Sequence, residues 1–318
     1  MIKEVSNRIK SDDKGLSVLD DILNTLRFHG SIFFRSELAS PWGMSLDKLN
    51  SPRFHISLKG DFVVGVENSQ KVVAINEMDI VMLPHGDIHW IADKQDSERI
   101  SSSLAGKACE LGNPRFQQGT ITNKVICGLL QFDDKMFHPI LSSLPSILHF
   151  SNFDDNDPIW MTVKLLEVET SKTKGNINLI ADRLTEVLFL QLMHKFIEET
   201  VELSGFLASL RDQRMYKVLE LIHQQPQFSW TLESLGDRVG MSRATLTRQF
   251  KLALGMPPMT YISQWRMMKT YNLLKHSSRS AEYIAESVGF SSSRSLNKAF
   301  QKQFGLTLKE MRLNLSEA

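Results

Sequence analysis

Cysteine is scarce: Cys109 and Cys127 are the only two in 318 residues. Two thiols cannot build a disulfide framework, and they fit a reducing compartment. The chain nowhere reaches the roughly 18 consecutive apolar residues of a membrane-spanning helix. Its first residues, MIKEVSNRIKSDDKG, lack the apolar core of a secretory signal. A disulfide scaffold and a helical membrane protein are excluded, and a cytoplasmic location with no membrane partner is expected. Net charge is also nearly absent, at +1. Hydrophobic residues at 42% and charged residues at 23% leave no room for a largely disordered chain. The length suits two domains.

The small net charge conceals an uneven distribution. Residues 212–318 hold 15 Lys and Arg against 8 Asp and Glu, or +7, and the remainder holds 22 against 28, or −6. A basic C-terminal part after an acidic N-terminal one suits a polyanion partner, the plain alternative being a solvated basic face.

Between about Ser31 and Phe132 the chain shows short apolar or alternating runs (SIFF, FHISL, FVVGV, KVVAI, DIVML, VICGLLQF) separated by turn residues. They predict an all-β barrel or sandwich with few helices. Helical periodicity follows from Asp157 to Val168 and from Asn178 to Glu199. In the latter, Leu184, Val187, Leu188, Leu192 and Phe196 form a wide apolar arc, suited either to burial within the subunit or to a dimer contact. The expected division is 1–132 as the β domain, 133–211 as a helical subdomain and linker, and 212–318 as an all-α domain.

The last part contains a duplication. LESLGDRVGMSRATLTRQFKLALGMPP starts at Leu232, and AEYIAESVGFSSSRSLNKAFQKQFGLTL starts at Ala281. Leu235 matches Ile284, Val239-Gly240 matches Val288-Gly289, and, after one extra residue, Leu246 matches Leu296 and Phe250 matches Phe300. Each copy reads as a helix-turn-helix: a short helix closed by a Gly able to take positive φ, an apolar plug, and a Ser that caps a second helix. Small residues Gly236 and Ala285 allow close helix crossing. With Leu246 and Phe250, or Leu296 and Phe300, turned inward, the outward residues are Arg243, Ala244, Thr247, Arg248 and Lys251, then Ser293, Arg294, Asn297 and Lys298. Short polar and cationic side chains of this kind suit a DNA major groove.

The whole stretch from Gln213 to Arg312, with PPMTYISQWRMMKTYNLLK as the linker pattern, resembles the DNA-binding domain of the AraC/XylS family of transcription regulators. The resemblance implies two helix-turn-helix units joined by a long helix, with recognition helices in successive major-groove turns. Promoter DNA and RNA polymerase are the implied partners. The base-facing positions become Ala244, Thr247, Arg248, Ser293, Arg294, Asn297 and Lys298. One departure is Leu308, where the family places a Pro.

In the β region, Pro84, Gly86 and His89 follow P-x-G-x-x-H, which resembles the second motif of the cupin superfamily, and His55 and Gly60 fit the cupin sensory domains of many such regulators. The implied role is a small-effector pocket, with His55, His85 and His89 as candidates. No His-x-His precedes His55, so no metal or other cofactor is expected, although His85 and Asp93 are conceivable substitutes. The rival reading is a metal-dependent cupin enzyme fused to a DNA-binding domain. Cys109 and Cys127 are candidates for a redox signal; the bland reading of Cys127 is a buried small hydrophobe. The chain is therefore read as a non-enzymatic, homodimeric regulator: a cupin-like barrel with a helical subdomain, then two helix-turn-helix units.

Overall fold

A computed structural model describes residues 16–26, 28–67, 71–110, 116–132, 140–172 and 179–316. Contacts divide the chain into two units: Phe28–Asp134 with Leu144–Thr200, and Met1–Arg27 with Lys135–Ser143 and Val201–Ala318.

In the first unit ten strands form two sheets: β1 (His29–Leu38), β2 (Gly43–Leu46), β3 (Arg53–Lys59), β4 (Phe62–Val66), β5 (Val72–Ile75), β6 (Ile80–Leu83), β7 (His89–Ala92), β8 (Ile100–Ser101), β9 (Asn123–Gln131) and β10 (Leu148–Phe150). One sheet runs β1-β9-β3-β6-β10 and the other β5-β4-β7-β2-β8. Val81, Val125 and Cys127 from one sheet and Met44, Phe62, Val64 and Ile91 from the other share one buried cluster with Trp42, which precedes β2, so the sheets pack face to face. Every apolar run named from the sequence falls on a strand. In line with the expectation of few helices, one crosses this region as Ser102–Glu110; another, Leu16–Leu26, precedes the strands, so these are α1 (Leu16–Leu26) and α2 (Ser102–Glu110).

Helices α3 (Pro158–Lys172) and α4 (Leu179–Glu199) complete this unit. Helix α4 lies on β1, where a Cβ at Gly30 would stand 2.5 Å from the Thr185 side chain; glycine permits the approach. Ala181, Leu188, Phe189, Leu192 and Met193 are buried on this side.

The second unit holds α1, a 3-10 turn at Leu141–Ser143, and α5 (Gly205–Ser209), α6 (Gln213–Gln224), α7 (Leu232–Val239), α8 (Arg243–Leu254), α9 (Pro258–His276), α10 (Ala281–Ser287), α11 (Ser293–Phe304) and α12 (Leu308–Ser316). The contact division cuts across the segments expected from composition. Helix α1 buries Val18, Leu19, Ile22 and Leu23 and packs on α6 and α9 rather than on the sheets. The Asp21 carboxylate receives His223 Nδ1 at 3.0 Å and Lys269 Nζ at 2.7 Å. Burial raises the Asp21 carboxyl, but these two bonds outweigh it and hold it below its ordinary range. Burial also keeps His223 below its ordinary value, so the neutral ring donates from Nδ1 and its Nε2, 2.8 Å from Tyr261 Oη, accepts the phenol proton. Because α1 reaches this unit across more than a hundred residues of chain, no local pattern revealed its partner.

Candidate nucleic-acid interface and ligand cavity

The two copies of the repeat fold alike. Thr231 caps α7 and Ser242 caps α8; Ser280 caps α10 and Ser292 caps α11, each through its side-chain oxygen. Helix α7 closes at Gly240 with φ of 65°, and the second turn uses Gly289 with φ of 80°, a region costly to residues with a Cβ. A Cβ on Gly236 would meet Met241 O at 2.4 Å, which accounts for the small residue there. Leu246, Phe250, Leu296 and Phe300 are fully buried.

The opposite faces carry the candidate DNA contacts. Arg243, Ala244, Arg248 and Lys251 on α8, and Arg294 and Lys298 on α11, are exposed, with Thr247 and Ser293 half-buried beside them. Arg243, Arg248, Lys251, Arg294 and Lys298 form no ion pair within the described residues, so their charges remain available to an external anion. Gln301 and Lys302 extend the exposed face of α11 and correspond to Lys251 and Leu252 of α8. The sequence reading stopped one turn short of them.

Asn297 stands apart from the base-facing set. Its Oδ1 accepts the Leu308 backbone N–H at 2.9 Å and so caps the start of α12. Leu308 is the position that departs from the family's Pro. The equivalent residue of the first copy is Pro258, which has no N–H, and the equivalent of Asn297 is Thr247. The extra donor in the second copy is thus matched by an extra acceptor.

Arg266 of α9 links the two copies. Its Nε donates to Pro226 O at 2.8 Å and its Nη2 to Phe228 O at 2.7 Å, on the approach to α7, while its Nη1 reaches Gly289 O at 3.4 Å in the second turn. One guanidinium therefore holds carbonyls of the segment that leads into the first helix-turn-helix unit and of the turn of the second. The sequence offered no sign of this, since a linker-helix arginine reads as a surface cation.

In the β unit, a cavity of about 330 Å³ is walled by Phe34, Met44, Leu46, Ile91 and Leu129, with Arg53 and Cys127 also on its surface and α2 over one side. Arg53 Nη1 donates to Asp47 O at 2.6 Å, and its Nε is buried with no partner. Cys127 lies directly opposite His55 on the neighbouring strand. Its Sγ is 2.9 Å from His55 Nδ1, His55 Nε2 is 2.8 Å from His89 Nε2, and His89 Nδ1 is 2.7 Å from Asp87 O. A carbonyl can only accept, so His89 carries its proton on Nδ1. The chain then runs in one direction with neutral rings: Cys127 S–H to His55, His55 N–H to His89, His89 N–H to Asp87. Burial is the main cause that keeps His55 well below its ordinary range and His89 down to about 4, and burial pushes the Cys127 thiol up despite the opposing Arg53 cation.

The three histidines do not converge. His85 is exposed and its Nε2 is 3.0 Å from Leu144 O, off the cavity wall, and His55 and His89 spend Nε2 on each other. Asp93 Oδ1 takes Trp42 N and Ser97 Oγ. Among the described residues no three His, Cys, Asp or Glu side chains gather as metal ligands. Cys127 is buried and held as the thiol, the unreactive form. The side chain of Cys109 lies outside the described residues.

A family model described as a cupin matches residues 17–198, and one described as a helix-turn-helix domain matches residues 235–314. The transcriptional regulator AlkR of Acinetobacter baylyi is 27% identical over 308 residues, covering 93% of this chain and 99% of the relative. A putative AraC-like transcription regulator of Streptomyces lividans is 23% identical over 290 residues, covering 91% and 95%. Among solved structures, the DNA-binding domain of AdpA in complex with a target DNA is 25% identical, covering 32% of this chain and 91% of that one, with a TM-score of 0.30.

Proposed function

Because this chain belongs to the AraC family of DNA-binding transcription regulators, we propose that a small ligand held in its cupin unit controls how its two helix-turn-helix units engage promoter DNA. The observation that carries this reading is the cavity at Arg53 and Cys127, present in the same chain as a complete double helix-turn-helix domain. Coupling of this kind is reciprocal, so bound DNA changes ligand affinity by the factor by which ligand changes DNA affinity. The regulator works in the cytoplasm, contacts RNA polymerase at its promoters, and performs no catalysis and holds no metal of its own. His55 and His89 spend Nε2 on each other and His85 lies apart on Leu144 O, an arrangement that favours this over the cupin-enzyme reading. No helix among the described residues is long and apolar enough to cross a membrane.

The acting species is a homodimer joined through α3 and α4. Met161, Leu165 and Val168 form an exposed apolar stripe on α3, Leu165 being 56% exposed, and Val187 is exposed on α4. The two helices pack on each other, and Gln191 Nε2 of α4 donates to Pro158 O of α3. Two copies joined on this stripe hold twice the DNA-reading surface and bind paired sites with gained avidity.

Genome-wide occupancy in cells under varied growth conditions tests ligand control. The wild type redistributes with conditions and an Arg53→Gln variant, altered on the cavity wall, does not. Equal redistribution in both would remove the sensory role from this unit.

A further inference from the structure

The cavity of the cupin unit has an unequal chemistry. Its walls are mostly apolar, and its neutral polar groups are the Ser102 and Ser103 side chains and Cys127, which keeps its proton and passes a hydrogen bond to neutral His55. The charged residues on it are Arg53 and Asp47. Asp47 is exposed to water at the rim and binds Arg53 through its backbone oxygen, not through its carboxylate. Arg53 is half-buried, and among the described residues its guanidinium makes one hydrogen bond, from Nη1 to Asp47 O, which leaves other N–H groups of the cation unspent. A half-buried guanidinium with unspent N–H groups binds a planar oxyanion through paired, charge-assisted bonds.

We infer that the cavity takes a compact organic monoanion, with a carboxylate-like head on Arg53 and an apolar body along Phe34, Leu46, Ile91 and Leu129. This rests on the reading of the cupin unit as the ligand-binding part. The volume sets the size: at about 30 Å³ for each non-hydrogen atom, the share of a water molecule in the liquid, about 330 Å³ holds on the order of ten such atoms. Both ends contribute, the charge by satisfying Arg53 and the body by displacing water from apolar walls. A simple inorganic anion lacks the second contribution, and a neutral hydrocarbon or an amine lacks the first. Gly106 of α2 borders the cavity, and a Cβ built there meets nothing within 4 Å, so the site can be filled without disturbing Arg53.

Calorimetric titration of the full chain with octanoate, 1-octanol, octylamine and acetate tests this. Octanoate is expected to bind at least about tenfold tighter than octanol, the gain from a charge-assisted pair, with octylamine and acetate weaker still. Arg53→Gln removes the margin of octanoate over octanol, Arg53→Lys keeps part of it, and Gly106→Leu weakens octanoate and octanol together. Equal binding of octanoate and octanol by the wild type, or a preference for octylamine, overturns the assignment even if Arg53→Gln fails to fold. An Arg53→Gln variant that melts with the wild type and retains full octanoate preference also overturns it. Failure of the regulatory reading looks different: octanoate then binds as described and promoter-DNA affinity stays constant in its presence.

Discussion

Residue identity decides function most sharply where a polar group is buried. His55, His89 and Cys127 form a one-directional chain of neutral donors and acceptors, so acidification must break it. In the unfolded chain each histidine takes up a proton near its ordinary value of 6.5, whereas folded His89 resists until about 4. The unfolded state therefore binds more protons between these values, and stability is present above pH 6.5 and lost as pH falls toward 4. The interval corresponds to roughly 3 kcal/mol for His89, with His55 acting in the same direction. Melting curves at pH 7.5 and 5 are expected to show this loss, and a His55→Leu, His89→Leu variant to show a flatter dependence; parallel slopes would contradict it. The sequence showed these histidines as a spaced motif and Cys127 as a residue in a strand. Their bonding was invisible because His55 and His89 come from different sheets. On the DNA face, Lys251 is exposed near the end of α8 and is expected to hold a phosphate. Lys251→Ala should weaken binding to all sequences alike and reduce the salt slope by about one unit, as read from titrations at several salt concentrations.

Elements were legible in proportion to their own periodicity. Helices α3 and α4 and the helices of the repeat followed from apolar spacing and caps, and the six apolar runs became strands. Strands β2, β7, β8 and β10 span only two to four residues and carry none of the named apolar runs, and β7 carries His89. Asn297, expected from its spacing to face a base, has a further bond that spacing did not show: its Oδ1 accepts the Leu308 N–H. Asn297→Ala should cost about 1 kcal/mol of stability, as for loss of a helix cap. In that background Leu308→Pro, which removes the orphaned N–H at a position where proline is tolerated, should restore much of the loss. Thermal melts of the single and double variants check this; a double variant less stable than Asn297→Ala alone would contradict the capping role.

For the whole molecule, charge asymmetry and the internal duplication made the two-part design readable, but the grouping of α1 with the C-terminal helices depends on long-range contacts that no window of sequence contains. The stripe on α3 predicts that Leu165→Glu lowers the association state seen in sedimentation of the full chain at tens of micromolar, on the order of where weak interfaces still assemble. An unchanged sedimentation coefficient would remove α3 from the interface. At this scale the central claim is that α8 and α11, tied through Arg266, read two separate segments of one DNA face. The most direct measurement is selection of bound duplexes from a random library by the wild type and by Arg248→Ala, with sequencing of the recovered sites. Two conserved blocks per protomer are expected, about one helical turn, or about 10 base pairs, apart. Arg248→Ala should erase preference at one position of one block, at a cost of about 1–3 kcal/mol there, and leave the other block intact. A single block, or an Arg248→Ala profile identical in sequence preference to the wild type and weaker everywhere, would contradict it.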